Sequence, residues 1–298
     1  MAKTVVEGTS FVAAIRVDRS VVAEEICSVI REDTLTIAVE TVGSYTLMWT
    51  PTGGGSAPMA FTNNDGVLGE GDLSEALCVA VGFLFTEGII DGLADLKAIA
   101  FCPDDPKVVA VHLDDPSRTR VRRRDVVMNS SCGVCGEGGR IEDLLETLPQ
   151  VGTGLSVAAT DLRRLMDEMR GRQTVFEATG GAHAAAVFDA GGRMVAMAED
   201  LGRHNALDKV IGRCLLSGID TGACGVLLSS RLSLEMVTKA IRARFQVVAA
   251  VSAPTSLAVE VAERKGVSLC GFIRDDRCTV YAHPGRVAEL KAGTTWMN

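Results

Sequence analysis

The residues with the clearest chemistry are Cys132 and Cys135, within Ser130-Ser131-Cys132-Gly133-Val134-Cys135-Gly136-Glu137-Gly138-Gly139. A thiol becomes a strong nucleophile only as the thiolate, and nearby backbone N–H groups or cations lower its pKa. The flanking glycines leave amides unshielded and permit a tight turn. A CxxC pair alone fits a redox couple, half of a zinc site, or a nucleophile that handles sulfur. A structural zinc site needs about four ligands, commonly from a second CxxC or nearby histidines. No second CxxC exists here, and Gly-Glu-Gly-Gly follows the pair where a redox motif would start a helix. These features favour a thiolate nucleophile or sulfur carrier and predict no structural zinc. Cys132, at the expected loop tip, is read as the main sulfur-bearing residue and Cys135 as its helper.

Four further polar clusters could serve a ligand. In Thr179-Gly180-Gly181-Ala182-His183, the paired glycines let a ligand approach the backbone. His183 can exchange a proton near neutral pH, although a lone histidine beside a strand equally suits a structural role. The stretch from Glu199 to Lys209 holds Asp200, Arg203, His204 and Asn205. Asn205 is expected to cap a helix whose free N–H groups, with Arg203 and Lys209, receive an anion. Asp200 is expected to orient His204 or to bind a hydroxyl or amide. The remaining clusters are Ser229-Ser230-Arg231, with Ser233 and Glu235 after it, and Ser252-Ala253-Pro254-Thr255-Ser256. Arginine and hydroxyls between a strand and a helix suit phosphate. Three junctions of this kind predict one crevice along the ends of an open sheet, where α/β folds bind ligands. A large, hydroxyl-rich, multiply phosphorylated ligand would use them all. There is no GxGxxG or Walker motif to support an ordinary nucleotide fold.

The elements that must position these residues follow from periodicity. Residues 1–20 read as a leader of uncertain order. Residues 34–40 and 45–49 read as strands of a hairpin, and 53–71 as a long loop. A helix capped by Asp72 or Ser74 runs through Leu77, Val79, Val81, Leu84 and Phe85 to Gly88, apolar on most sides and so buried. Residues 108–113 and 119–127 read as two strands around a turn. The second contains Arg122, Arg123 and Arg124, a solvated edge or a phosphate contact. Helices are expected at 141–148 and 158–170. In the latter, Leu162, Leu165, Met166 and Met169 form one stripe. Beyond Gly171, strands at 185–188, 194–197, 224–228, 245–251, 268–273 and 278–282 alternate with helices at 205–216, 232–243 and 254–265. That alternation implies a sheet covered by helices.

The totals set bounds. At 298 residues, 47% apolar, the chain has ample core for one large domain or two small ones. Its net charge of -8 argues against general nucleic-acid binding. Nine scattered cysteines, an odd count, read as free thiols in a reducing compartment. No secretory signal or apolar run long enough for a membrane span is seen. The expected address is cytoplasmic.

Taken together, these stretches resemble the FdhD family, sulfurtransferases that serve formate dehydrogenase. The likeness rests on Ser131-Cys132-Gly133-Val134-Cys135-Gly136, on Thr179 through Ala185, and on Glu199 through Gly212. It extends through Ser230-Arg231, Glu235-Met236, Ser252 through Glu260 and Gly271-Phe272-Ile273-Arg274, with Gly82 through Ile90 toward the N-terminus. The order of these pieces over residues 30–287 makes the likeness specific. It implies that Cys132 and Cys135 accept persulfide sulfur from a cysteine desulfurase. The sulfur then passes to a molybdenum, or tungsten, bis(molybdopterin guanine dinucleotide) cofactor bound as substrate, for delivery to formate dehydrogenase.

The resemblance also implies that Gly180, Gly181, His183, Asp200, Arg203, His204, Asn205, Ser230, Arg231, Thr255, Ser256, Phe272 and Arg274 hold that cofactor, with a GDP-like nucleotide fitting the same pockets. It implies a homodimer and an α/β chain of two domains. A smaller N-terminal α+β domain would span 21–128, followed by the cysteine loop at 129–140. A larger C-terminal domain, with a cytidine-deaminase-like mixed sheet and packed helices, would span 141–298. Zinc deamination is disfavoured: Ala184 and Ala185 stand where the shuttle glutamate should follow His183, and the CxxC lies upstream of it. A chaperone that holds the cofactor without handling sulfur would have no need of the two loop thiols.

Overall fold

The computed structural model describes residues 6–19, 21–53, 60–62, 73–119, 126–128, 141–274 and 277–290. Cys132, Cys135 and the arginines at 122–124 lie outside the described residues.

The chain opens with a long antiparallel hairpin, β1 (Thr9–Asp18) against β2 (Val21–Ile30). The stretch read as a leader therefore holds a strand. Two six-stranded mixed sheets follow. The first contains β3 (Asp33–Val39), β4 (Gly43–Trp49), β5 (Ala60–Thr62), β6 (Leu96–Cys102), β7 (Asp105–Leu113) and β8 (Val126–Met128) in the order β5-β6-β7-β3-β4-β8. Alternation drives the expected β3–β4 hairpin. Leu35, Ile37 and Val39 point into the core with Tyr45, Leu47 and Trp49, while Thr36 and Thr46 meet on the other face at 3.1 Å. β5 falls inside the expected long loop. The two strands read at 108–113 and 119–127 do not pair with each other among the described residues. β7 pairs with β6 and β3, and β8 instead runs parallel to β4.

Helix α1 (Glu75–Thr86) packs under this sheet, and ten of its residues are buried, as its all-round apolar sequence requires. It crosses α5 (Arg203–Leu216) at backbone contact. A Cβ on Gly82 would stand 1.8 Å from the Asp208 carbonyl oxygen, and one on Gly212 1.9 Å from that of Cys78. Only glycine allows this approach, and it fixes the two sheets against each other.

The second sheet is built after α2 (Ile141–Thr147), α3 (Ala159–Gly171) and α4 (Thr174–Thr179). Its strands are β9 (His183–Phe188), β10 (Met194–Asp200), β11 (Gly225–Leu228), β12 (Val247–Ala250), β13 (Ser268–Arg274) and β14 (Arg277–Ala282). They lie in the order β10-β9-β11-β12-β13-β14, with β11, β12 and β13 parallel and the other pairings antiparallel. α5, α6 (Leu234–Arg242) and α7 (Ser256–Lys265) cover one face and α3 the other. The α3 stripe is buried as its spacing predicts: Leu162, Leu165, Met166 and Met169 are each at most 4% exposed. Pro254 stands before the capping residue Thr255 instead of in the first turn of α7. The architecture is α/β, with two mixed sheets and packed helices. No helix among the described residues is long and apolar enough to cross a membrane.

Candidate functional site

The register of the second sheet brings the polar junctions to one edge. β9 is antiparallel to β11, so His183 begins its strand beside Ser229, where β11 ends. β10 ends at Asp200, directly paired with His183. β12 and β13 run parallel to β11, so Ser252, Thr255, Phe272 and Arg274 fall at the same end. α5, α6 and α7 all start there and direct their unpaired N–H groups to this edge.

Backbone bonds stitch the junctions together. Leu232 N–H donates to Ala253 O (3.1 Å), Thr255 N–H to Leu232 O (2.9 Å), and Phe272 N–H to Ser252 O (3.2 Å). Ser229 Oγ accepts from Ala184 N–H at 2.8 Å, which ties the start of β9 to the end of β11. Gly180 ends α4 in the left-handed region, and Gly181 follows, exposed. Thr255 caps α7, its hydroxyl accepting from Ala258 N–H, and Ser256 is exposed in the first turn.

Charge along the edge is mainly positive. Arg231, Arg274 and Arg277 are exposed, and Arg231 has no charged partner among the described residues. Phe272 sits at a register shift with φ of 53°, its ring 5.8 Å from the Arg274 guanidinium and 4.7 Å from that of Arg277. Arg277 was not singled out from sequence; two arginines flanking Asp275-Asp276 after an aromatic residue were the available signal. Arg203 lies 3.9 Å from Glu235, whose carboxylate also meets His204 Nε2 at 2.9 Å. His204 is thus oriented by Glu235. His183 is held below its ordinary value, first by burial and then by the Arg203 charge. Ser230 is buried, its hydroxyl donating to the Arg231 carbonyl.

Three expected ligand groups are committed elsewhere. Asp200 is fully buried and accepts from the N–H groups of Thr50 (3.0 Å) and Gly202 (2.9 Å) and from Asn205 Nδ2 (3.0 Å). Asn205 does not cap α5, which begins at Arg203 after Gly202. Its amide points inward and donates to the Met48 carbonyl at 2.6 Å. Lys209, 1% exposed, donates to the carbonyls of Thr50 (2.6 Å) and Glu199 (2.8 Å) and pairs with Asp200 (2.9 Å) and Glu75 (3.2 Å). All three are buried with partners from this chain. They clamp the end of β4 onto the β10–α5 junction and so set the wall of the edge. A second buried cluster, Lys239 with Asp208 at 2.8 Å and Glu87 at 2.9 Å, joins α6 to α5 and α1. Its sequence signal was a lysine inside the apolar face formed by Met236, Val237, Ala240 and Ile241.

Comparison with known proteins gives this arrangement a family. Residues 70–288 match the profile of the FdhD/NarQ family. The chain is 37% identical over 236 residues to the sulfur carrier protein FdhD of Thermoplasma acidophilum, covering 77% of this chain and 82% of that protein. It is 42% identical over 214 residues to the protein of the same name from Bordetella petrii, covering 70% and 76%. A crystal structure described as a formate dehydrogenase accessory protein, from Desulfotalea psychrophila, superimposes with a TM-score of 0.69 at 22% identity. It covers 94% of this chain and 99% of that one. That likeness concerns the fold. Matched over most of its length, with relatives of this identity, the chain belongs to the FdhD/NarQ family.

Proposed function

We propose that this protein is a sulfurtransferase that carries persulfide sulfur to a molybdenum or tungsten bis(molybdopterin guanine dinucleotide) cofactor and thereby activates formate dehydrogenase. The observation that carries the reading is the single sheet edge on which His183, Arg203, Ser230, Arg231, Thr255, Ser256, Phe272 and Arg274 meet three helix N-termini, in a chain of the FdhD/NarQ family. Exposed guanidiniums and helix N–H groups suit the diphosphates. Phe272 offers a face for a purine, and neutral His183 can accept or donate a proton beside it. Gly180 and Gly181 leave the backbone open to the pterin. In this reading Asp200 and Asn205 shape the wall and do not touch the ligand.

Cys132 and Cys135 handle the sulfur. The Cys132 thiolate attacks the outer sulfur of the desulfurase persulfide; that S–S bond breaks, and the donor cysteine leaves as a thiolate. Cys135 stands by as relay. The partners in this reading are a cysteine desulfurase, formate dehydrogenase and a second copy of the chain, in the cytoplasm, without nucleic acid or resident zinc. The homodimer is supported by the β1–β2 hairpin, which exposes Phe11, Ile15, Val17, Val22 and Ile26. The mixed second sheet with helices on both faces supports the cytidine-deaminase likeness of that domain.

The test uses Cys132→Ser and Cys135→Ser separately, each loaded from a desulfurase and then mixed with sulfur-free formate dehydrogenase. Loss of activation in Cys132→Ser with partial retention in Cys135→Ser is expected. Full activation by both variants overturns the sulfur-carrier reading.

A further inference from the structure

Cys270 and Cys278 lie on the neighbouring strands β13 and β14, away from the loop thiols in sequence. Cys270 is paired with Val280, and Cys278 stands two positions before Val280 on the same strand, hence on the same face of the sheet. Both side chains pack in the cluster under α3, Cys270 fully buried and Cys278 half-buried at its margin. The register makes the two side chains diagonal neighbours on that face, where each thiol acts on the titration of the other. Just beyond them lies the register shift that carries Phe272 with its φ of 53°, flanked by Arg274 and Arg277.

We propose that Cys270 and Cys278 form a second thiol pair, oxidised by hydrogen peroxide to a disulfide that locks the hairpin bearing Phe272. The half-buried Cys278 is the attacking thiolate. Its sulfur takes the terminal oxygen of the peroxide, the O–O bond breaks, and water leaves after protonation, giving a sulfenic acid. The Cys270 sulfur then attacks that sulfenic sulfur, the S–O bond breaks, a second water leaves, and the S–S bond closes. Two thiols are oxidised and one peroxide is reduced to two waters.

The local chemistry divides the labour in this direction. The neighbouring Cys270 thiol favours the Cys278 thiolate, and the Arg163 charge adds to this, so Cys278 lies below the ordinary thiol value while Cys270, paired with it and buried, lies well above it. Burial pushes other thiols up, Cys78 to about 11, Cys224 to about 11 and Cys214 to about 12, which leaves them inert by comparison. The proposal is independent of the sulfur-carrier reading, but its product would act on the wall of the same edge.

The test is peroxide titration of the full chain carrying Cys132→Ser and Cys135→Ser, quenched with an alkylating agent and digested with trypsin. Cleavage after Arg274 and Arg277 places the two cysteines on separate peptides. The expected product is a joined peptide pair lighter than its two parts by two hydrogens, separated by reductant, and formed before Cys214 or Cys224 is modified. In Cys270→Ser, the expected result is a sulfenic acid on Cys278 trapped by dimedone. Recovery of Cys270 and Cys278 as alkylated thiols after Cys214 has oxidised overturns the proposal, as does a link from either to a different cysteine.

Discussion

Acids, amides and cations of the same kinds occupy two regions a few residues apart, the seam between the sheets and the edge of the second sheet, and they do different work. At the seam, Lys209 and Asp200 are at most 1% exposed, and each polar atom finds a partner from β4, α1 or the β10–α5 junction. At the edge, Arg231 and Arg274 stand in solvent and His183 is half-buried. A buried charge without its partner is costly, so the seam is complete and fixed. An exposed guanidinium costs little to leave open, so the edge can await an anion. Residue type alone does not separate architecture from ligand binding; burial with complete partners does.

The largest effect expected is at the seam. Lys209→Met leaves the buried Asp200 and the partly buried Glu75 without their cation and should lower the unfolding free energy by about 3–5 kcal/mol in urea denaturation. A loss below about 1 kcal/mol would move Lys209 out of the seam class. At the edge the balance should reverse. Arg231→Ala and Arg274→Ala should leave stability within about 0.5 kcal/mol. Each should weaken GDP binding by about ten-fold, the worth of one charge-assisted hydrogen bond. Calorimetry with GDP and ADP checks both this and the expected preference for guanine; equal or absent binding of the two nucleotides would remove the edge from the ligand class.

The hairpin sharpens the comparison with a third kind of surface. Ile15→Asp places a charge on its exposed apolar face and should shift a dimer to monomer in sedimentation without loss of fold. An unchanged oligomer would move the interface elsewhere. The smallest effect is on pH dependence. His183 in the folded chain titrates below its ordinary 6.5, first because burial disfavours the imidazolium. Between the two values the unfolded chain holds more protons, so this contribution to stability is present above 6.5 and is lost as pH falls through that window. His183→Gln should flatten that part of the stability profile, and an unchanged slope would contradict the assignment.

Much of this was legible in the sequence where local pattern decides. The stripe of Leu162, Leu165, Met166 and Met169 gave α3, and the alternation of Leu35, Ile37 and Val39 gave β3. The edge was legible as well, since three of the four polar clusters follow an apolar strand. What depends on distant chain was not. Asp200, Asn205 and Lys209 are polar residues beside a helix start, and only the end of β4, some 150 residues earlier, makes them structural. β1 was hidden because its apolar residues stay exposed and its turn at Arg19 takes a positive φ without glycine. The pairing of β8 with β4 is likewise a matter of sheet order, which local periodicity does not encode.

The central claim is that sulfur travels on the loop of Cys132 and Cys135. Its most direct test is a mass spectrum of the full chain after incubation with a cysteine desulfurase and cysteine, followed by peptide mapping without reductant. The account predicts a gain of one sulfur atom on the peptide that contains Cys132 and Cys135, absent when both are serine. An unmodified loop peptide beside a fully persulfidated desulfurase would contradict it.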